Sequence, residues 1–253
     1  MKTQAINAIK KGFENLGIKV IAKKTFDNPP DLEKEFYALH EKCTEYTMTS
    51  TERLYSIYNS VRYLNGNNVE GAIVECGVWK GGSSMMAALS LKEFNDTSRE
   101  MWLYDTYEGM SAPTEKDVNY RGESSEPEWK DSQRSDHNEW CYSSLDEVKK
   151  NLNSTSYPAN KISYIKGKVE DTIPGTVPEK IALLRLDTDW YESTYHELKH
   201  LYPRLVKGGI LIIDDYGFWK GSREACDQYF RENNIKLMLN RIDKAGRLLI
   251  KTA

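Results

Sequence analysis

The sequence has no apolar run long enough to cross a bilayer, and its lysine-containing start lacks a continuous apolar segment and a small-residue cleavage site. It also has no long basic run, because acidic and basic side chains are interspersed and the net charge is −3. Rows of lysine and arginine are what neutralise nucleic-acid phosphates, so no nucleic-acid partner is expected. Together these absences predict a cytoplasmic protein without a membrane span.

Cysteine is also scarce. The four cysteines, Cys43, Cys76, Cys141 and Cys226, lie far apart, and no two of them form the CxxC pair that is typical of zinc and redox sites. We therefore expect reduced thiols, and neither a disulfide framework nor a cysteine-bound metal is predicted.

What the sequence does contain is an alternation of short apolar runs and helical patterns. Residues 1–66 have apolar positions at helical spacing and predict an N-terminal helical cap. From residue 72 the apolar runs have the length of buried strands, and they are AIVECGV, MWLYDTY, ISYIKGKV, IALLRLDTD and GILIIDDY. KLMLNRID, a short turn and RLLIKTA then predict a closing hairpin. Residues 67–253 are thus expected to form an α/β domain around a seven-stranded sheet.

The segment 107–142 differs in composition from the rest of the chain. It is polar and rich in tyrosine, tryptophan and acidic residues. A connection this long within a compact domain is usually a lid, a substrate-binding loop or a disordered insert. We interpret it as a lid-like insert.

A glycine-containing segment follows the first predicted parallel strand. It comprises Glu75, Gly77, Gly81, Gly82, Ser83 and Ser84. Ligands of open α/β sheets collect at such strand ends, where glycine lets them approach the backbone. Trp79 and Lys80 stand where a tight diphosphate turn needs small residues, so a cofactor without a pyrophosphate fits better. Asp105, at the end of the next strand, offers a carboxylate to the hydroxyls of a ribose, and the two strands together favour an adenosine-bearing ligand.

Four acidic residues follow two later strands. Asp187 and Asp189 end the fourth strand, and Asp214 and Asp215 end the fifth. Adjacent strands lie about 4.8 Å apart, so these carboxylates converge, and they repel one another unless a cation or protons neutralise them. Oxygen ligands suit Mg²⁺, Mn²⁺ or Ca²⁺. Capping of the following helices would explain one or two of these acids and not all four.

The segment His196-Glu-Leu-Lys-His200 matches the HExxH pattern of zinc metalloproteases. On a helical wheel both histidines fall opposite the apolar stripe, and Pro203 would end the helix soon after the pair. We therefore predict solvent-facing histidines and no zinc site.

Several segments, in order, resemble the macrocin-type (TylF/MycF/NovP-like) sugar O-methyltransferases of macrolide, aminocoumarin and surface-glycan biosynthesis. They cover most of the chain and are Tyr46-Thr47-Met48 with Arg53-Leu54, ECGVWKGGSS, LYDTYEGM, KVEDTIP, LRLDTDWYEST, YPRLVKGGILIIDDYGFWKGSREACDQYF and RID. The resemblance implies a class I methyltransferase (Rossmann-like) fold, with helices on both faces of the sheet and residues 67–253 as the S-adenosylmethionine-binding catalytic domain.

The same resemblance implies a set of site residues. S-adenosylmethionine is expected over Glu75, Gly77, Gly81, Ser83 and the adjoining Ser84, with its ribose on Asp105 and its methyl group near Thr47 and Met48. Mg²⁺ or Mn²⁺ is expected on Asp187, Asp214 and Asp215, with Asp189 as the base. The implied acceptor is a sugar-containing small molecule or a glycan, and whether the protein forms a homo-oligomer is left open. The long 107–142 segment and the GFWKG stretch depart from the antibiotic-tailoring members, which leaves the acceptor unidentified.

Two other functions explain part of this pattern. A metal-dependent glycosyltransferase would use Asp187 and Asp189 as a DxD motif but would leave Asp214, Asp215 and the Glu75 segment without roles. A non-catalytic adenosine-binding module would use the glycine segment and would have no need for four converging acids. The sequence favours the methyltransferase over both.

Overall fold

The structure, a computed structural model, describes Pro29 and residues 31–252. The fold below is that of the unit that runs from Glu35 to the end of the chain. The amphipathic segment predicted at the start of the chain lies outside the described residues, and the division between a cap and a catalytic domain after residue 66 stays a prediction. Within residues 31–252, no helix is long and apolar enough to cross a membrane.

Seven strands form one mixed sheet, as predicted. They are β1 (Ala72–Cys76), β2 (Met101–Asp105), β3 (Ile162–Lys166), β4 (Ile181–Leu186), β5 (Leu205–Ile213), β6 (Asn240–Arg241) and β7 (Arg247–Ile250). Their order in the sheet is β3-β2-β1-β4-β5-β7-β6. The first five strands are parallel, and β7 runs antiparallel to both β5 and β6. Strand order reverses between β1 and β4, which is where open α/β sheets bind their ligands.

The described helices connect these strands and include two that precede the sheet. They are α1 (Lys34–Cys43), α2 (Thr51–Gly66), α3 (Gly82–Glu93), α4 (Glu126–Asp131), α5 (Leu145–Ser154), α6 (Val169–Thr172), α7 (Tyr191–Leu201) and α8 (Lys220–Glu232). Helix α2 packs on α3, and α7 packs on α8. The core lies between the fully buried apolar residues of β4 and β5 and the apolar side chains of α7 and α8. Burial of these side chains, at about 25 cal/mol per Å² of apolar surface, holds both helices against the sheet.

The central strands end level with one another. Cys76 of β1 pairs with Tyr104 of β2 on one side and with Leu186 of β4 on the other, and Leu186 pairs in turn with Ile213 of β5. The residues that follow these four positions therefore emerge along one edge of the sheet. This register brings the separately predicted motifs of the sequence together.

The predicted elements differ from the structure mainly at their ends. The segment KLMLNRID was predicted as a strand over its full length, but only Asn240–Arg241 pairs with β7, and residues 236–239 are irregular. The predicted insert 107–142 contains the short helix α4 and three isolated bridges, one of which joins Asn119 to Trp219 in the segment before α8. Its role as a lid stays a prediction.

Candidate active site

A cavity of about 220 Å³ opens at the carboxyl edge of the sheet. Among its lining residues are most of those that the sequence singled out: Thr47, Met48, Gly77, Ser83, Asp105, Asp187, Asp189, Asp214 and Asp215. The insert contributes Gly109, Met110, Ser111 and Cys141 to the same wall. Glu75, Gly81 and Ser84 do not line the cavity. The structure therefore gathers both predicted constellations, the glycine segment and the acids, around one space.

Gly77 lies where the exits of β1 and β4 touch. Its φ of +83° favours glycine, and a Cβ there would collide with the carbonyl oxygen of Asp187. Two backbone hydrogen bonds cross this point, from Gly77 N to Tyr104 O at 2.9 Å and from Asp187 N to Cys76 O at 2.8 Å. The glycine segment and the first acid of the later motif are thus held in direct contact.

Glu75 is buried behind the cavity wall, where it accepts hydrogen bonds from the hydroxyls of Ser83, at 2.5 Å, and Ser84. Its carboxylate also pairs with Arg185 at 2.5 Å. Gly81 is the N-cap of α3 with φ +88° and faces Leu152. Glu75, Gly81 and Ser84 thus support the glycine segment on the side away from the cavity, and Ser83 lines the cavity itself.

Asp105 ends β2, which flanks β1 on the side opposite to β4 and Asp187. One oxygen of its carboxylate accepts from the amides of Val78 at 2.6 Å and Trp79 at 3.0 Å, and the other accepts from the amide of Tyr107 at 2.7 Å. Burial raises the pKa of Asp105, and these backbone donors offset part of that rise. The carboxylate is thus fixed in the cavity wall beside the glycine segment.

Thr47 and Met48 reach the cavity from the segment between α1 and α2. The Thr47 hydroxyl accepts a hydrogen bond from Thr49 N at 3.1 Å, which fixes a turn. Gly82 allows this segment to pass close to the start of α3, because a Cβ there would lie 2.6 Å from the Tyr46 carbonyl and 2.7 Å from the Thr47 Cβ. Met48 is 64% exposed at the mouth of the cavity.

Three acids form the one group within residues 31–252 whose carboxylate oxygens converge in the manner of a metal site. Asp187, Asp214 and Asp215 each place an oxygen within 4.8 Å of the others. Asp189 lies beside them in the cavity wall and interacts electrostatically with Asp187 and Asp214. Burial, followed by the charge of Asp187, raises the pKa of Asp189 to about 7. Burial also raises the pKa of Asp215 well above its usual range, and the charges of Asp189 and Asp214 add to this rise.

Two arginines partly neutralise these acids. Arg185, fully buried in β4, pairs with Asp187 at 2.7 Å, with Asp214 at 2.5 Å and with Glu75, and donates to the Thr49 hydroxyl at 3.1 Å. Arg53 of α2 pairs with Asp214 and, at 3.1 Å, with Asp243 in the β6–β7 turn. Two guanidinium groups cannot balance all of these carboxylates, so the remaining negative charge must be neutralised by protons or by a cation. An all-oxygen donor set of this kind fits a hard divalent cation.

No role was predicted for Arg185 from the sequence, and Arg53 was noted only within a segment that resembles the family. Arg185 nevertheless carries a usable signal, because a lone arginine within the apolar run IALLRL must be paired once the strand is buried. Cys141, which lines the cavity from the insert, had no such signal. It lies 36 residues from Asp105 in an irregular segment, and only the folding of the insert brings it there.

The HELKH segment lies on α7, away from the cavity. His196 and His200 have ring centroids 4.5 Å apart, and both residues are partly buried. Nε2 of His196 lies 2.8 Å from the carbonyl oxygen of Ile173, so the prediction that this ring faces solvent was wrong. Glu197, which a zinc protease would use as its base, is fully buried and accepts a hydrogen bond from Thr188 at 2.9 Å. Within the described residues, this segment is not part of a group of side chains that could hold a metal ion.

Comparisons with known proteins show similarity along nearly the whole chain. The sequence model of the macrocin-O-methyltransferase (TylF) family matches residues 9–251. The chain is 30% identical over 243 residues to 8-demethyl-8-(2,3-dimethoxy-alpha-L-rhamnosyl)-tetracenomycin-C 4'-O-methyltransferase of Streptomyces olivaceus, covering 95% of this chain and 90% of that protein. It is 32% identical over 203 residues to demethyldecarbamoylnovobiocin O-methyltransferase of Streptomyces niveus, covering 79% and 74%. The solved structure of the O-methyltransferase NovP superposes with a TM-score of 0.71 at 30% identity, covering 82% of this chain and 83% of that one.

Proposed function

Because this chain belongs to the macrocin-O-methyltransferase family, we propose that it transfers the methyl group of S-adenosylmethionine to a sugar hydroxyl of a glycan, a glycolipid or a natural product, with the help of a divalent cation. The observation that carries this proposal is the single cavity in which the glycine segment, Asp105 and four acids of adjoining strands meet. A methyl donor and a hydroxyl acceptor can meet there. The glycosyltransferase and the non-catalytic module are not retained, because the members of the matched family are methyltransferases.

The cofactor is assigned to the β1 and β2 side of the cavity. Gly77 and Ser83 form a close-approach surface there, and Asp105 is the acceptor for the ribose hydroxyls. Glu75, Gly81 and Ser84 support this surface from behind. The bound cofactor supplies an electrophilic methyl group on a positively charged sulfur, and the acidic wall favours that charge.

The cation is assigned to Asp187, Asp214 and Asp215, whose oxygens are within 4.8 Å of one another. When bound, Mg²⁺ or Mn²⁺ would act as a Lewis acid and template for the acceptor hydroxyl. Arg185 holds two of these acids in place, and Arg53 holds Asp214 from the side of α2. The chain itself thus preorganises the acids at the edge of the sheet.

Asp189 is assigned as the base. In the transfer, the acceptor oxygen forms a bond to the methyl carbon, the carbon–sulfur bond breaks and S-adenosylhomocysteine leaves. The hydroxyl proton goes to the Asp189 carboxylate, which lines the cavity next to the three other acids. His137 of the insert stacks on Tyr142, with ring centroids 4.2 Å apart, and does not line the cavity.

The acceptor is assigned to the side of the cavity that faces the insert. Gly109, Met110, Ser111 and Cys141 line it there with apolar and hydroxyl groups. One relative described above is named for O-methylation of a rhamnosyl tetracenomycin and the other for O-methylation of demethyldecarbamoylnovobiocin, and the rhamnosyl group of the first supports a sugar-bearing acceptor for this chain. A lid role for the insert belongs to the same proposal.

The test is formation of S-adenosylhomocysteine from S-adenosylmethionine with a panel of methyl glycosides and dTDP-sugars, methyl α-L-rhamnopyranoside included. We expect EDTA to abolish turnover and Mg²⁺ to restore it. Asp189→Asn should retain Mg²⁺ and S-adenosylhomocysteine binding but lose roughly 10²–10⁴-fold in kcat, the usual cost of a missing general base. Asp187→Asn should lose affinity for Mg²⁺ as well.

Asp131→Asn is the matched control, because Asp131 is exposed at the end of α4. Turnover by Asp189→Asn at the wild-type rate would contradict the role of Asp189 as the base. Turnover that is unaffected by EDTA would contradict the role of the divalent cation.

A further inference from the structure

Asp117, a residue of the insert, is completely buried. One oxygen of its carboxylate accepts a hydrogen bond from the backbone amide of Tyr191 at 2.8 Å. The other accepts two from Thr114, through the amide at 2.7 Å and the hydroxyl at 2.8 Å. Tyr191 is the first residue of α7, and its amide is one of those that a helix leaves unpaired. The insert therefore caps the helix that follows Asp187 and Asp189.

The same carboxylate touches a second helix start. Gly221 lies in the first turn of α8, which follows Asp214 and Asp215, and a Cβ at Gly221 would overlap the Asp117 oxygen that bonds Tyr191. The amide of Lys220 donates to the carbonyl oxygen of Val118 at 2.9 Å. Helix N-termini carry partial positive charge, so a carboxylate placed between two of them is favoured by both.

Neighbouring residues of the insert reinforce this junction. Nζ of Lys116 lies 3.3 Å from the ring centroid of Tyr191 and 3.3 Å from an oxygen of Glu224 in α8. The indole N–H of Trp190 donates to the carbonyl oxygen of Ser111 at 2.9 Å. Ser111 lines the cavity, so this stretch of the insert connects the acceptor side of the site to both helices.

The acids of the site belong to short loops that run directly into these helices. Asp189, with φ +67°, is two residues from Tyr191. A shift of α7 relative to α8 would therefore separate Asp189 from Asp215 and move the insert wall at the same time. We propose that Asp117 is a positioning residue for methyl transfer, which locks the starts of α7 and α8 and the acceptor side of the insert into one arrangement. This inference rests on the proposed function.

The chain offers a graded set of variants. Asp117→Ala removes the hydrogen bonds that the carboxylate accepts from Tyr191 and from Thr114. Asp117→Asn keeps an amide oxygen that can accept from Tyr191 but loses an acceptor for Thr114. Thr114→Val removes one donor within the insert and leaves the bond to Tyr191 intact, so it is the matched control.

Two measurements test the proposal. In hydrogen exchange without acceptor, peptides covering the start of α7 should exchange faster in Asp117→Ala than in the wild type or in Thr114→Val. In turnover, kcat should fall about 10- to 100-fold in Asp117→Ala, the scale of a misplacement of about 1 Å, and the KM for the acceptor should rise. Asp117→Asn should recover part of this loss. The dissociation constant of S-adenosylhomocysteine should not change, because Asp117 does not contact the β1 and β2 side of the cavity. A general destabilisation of the protein would instead raise this dissociation constant.

Unchanged exchange at α7 in Asp117→Ala would overturn the proposal whatever the turnover. Faster exchange with a wild-type kcat and acceptor KM would overturn it as well, because Asp117 would then serve stability alone. If Asp117→Ala does not fold, equal kcat values for Asp117→Asn and Thr114→Val would be the overturning result. Absence of turnover in the wild type with every acceptor would instead count against the proposed function, and the exchange measurement keeps the two failures apart.

Discussion

Glu197 is a carboxylic acid buried in α7 beneath the candidate site. Its Oε1 atom accepts a hydrogen bond from Thr188, which stands between Asp187 and Asp189, and its Oε2 atom has no partner within residues 31–252. Burial raises the pKa of Glu197 well above its ordinary value, and the Thr188 hydroxyl opposes only part of that rise. Glu197 therefore holds Thr188, between Asp187 and Asp189, by a hydrogen bond, while its burial destabilises the folded protein by an amount that depends on pH.

Replacing Glu197 by glutamine should remove this cost. Below the unfolded-state pKa, near 4.5, both states of the wild type hold the proton. Above it the unfolded chain ionises while the folded chain keeps the proton, so the wild type loses up to about 1.4 kcal/mol of stability per pH unit until the folded-state pKa is passed. Glutamine has no carboxyl proton to lose. The difference in free energy of unfolding between Glu197→Gln and the wild type, measured in urea, should therefore be larger at pH 7.5 than at pH 5, in favour of the variant. A gap independent of pH, or an equal one in the exposed control Glu192→Gln, would contradict the prediction.

At the scale of single residues, the sequence was informative where residues of the same type occur at equivalent positions of the fold, such as the ends of neighbouring strands. The four acids were foreseeable because two strands end in the same way, in LDTD and IDDY. The role of Asp117 was not foreseeable, since it is a single charged residue whose partner on α7 lies far away in the chain. Asp117 is 74 residues from Tyr191, and no local pattern announces that contact.

At the scale of strands and loops, Gly77 is a tight point of the site, because it joins the exits of β1 and β4. Alanine there would need a φ of +83°, which costs about 1–3 kcal/mol, and its Cβ would meet a backbone oxygen of Asp187 that cannot move freely. We expect Gly77→Ala to lower the free energy of unfolding by at least this amount. It should also weaken S-adenosylhomocysteine binding, as measured by calorimetry, because the glycine segment must shift.

Gly66→Ala is the control for this variant. Gly66 ends α2, and a Cβ there would meet no atom within 4 Å. Its alanine variant should unfold and bind as the wild type does. Equal behaviour of the two alanine variants would show that the contact between the two strand exits does not constrain the site.

The elements themselves followed from the sequence wherever burial is strong. Strands β1, β2, β4 and β5 contain apolar runs that are mostly buried, so their positions and parallel arrangement were predictable. The edge strand β6 keeps only two residues, both exposed, because little apolar surface rewards a longer pairing there. The fold of the insert was not predictable, since it depends on contacts such as the edge-on packing of Trp140 against Trp190 and Trp219.

At the scale of the whole molecule, charge is distributed unevenly. The cavity wall carries six acids, Asp105, Glu170, Asp187, Asp189, Asp214 and Asp215, and two bases, Arg53 and Lys168. If all are ionised, the wall has an excess of four negative charges, which exceeds the net charge of −3 of the entire chain. With these groups ionised, the rest of the protein is close to neutral, and the field of the molecule is concentrated at this cavity.

This concentration predicts a specific stabilisation by divalent cations. A ligand that binds only the folded state adds RT ln(1 + [L]/Kd), about 2.7 kcal/mol at a hundredfold excess over Kd. Mg²⁺ should therefore raise the free energy of unfolding of the wild type in urea, and it should do so beyond KCl of equal ionic strength, because diffuse screening acts equally for both salts. Asp214→Asn, which removes one of the three converging carboxylates, should lose the difference between the salts, whereas Asp131→Asn, at an exposed position of the insert, should keep it. Equal stabilisation by Mg²⁺ and KCl in the wild type would mean that the acids are balanced by Arg185, Arg53 and bound protons, and the cation would have to be withdrawn from the site.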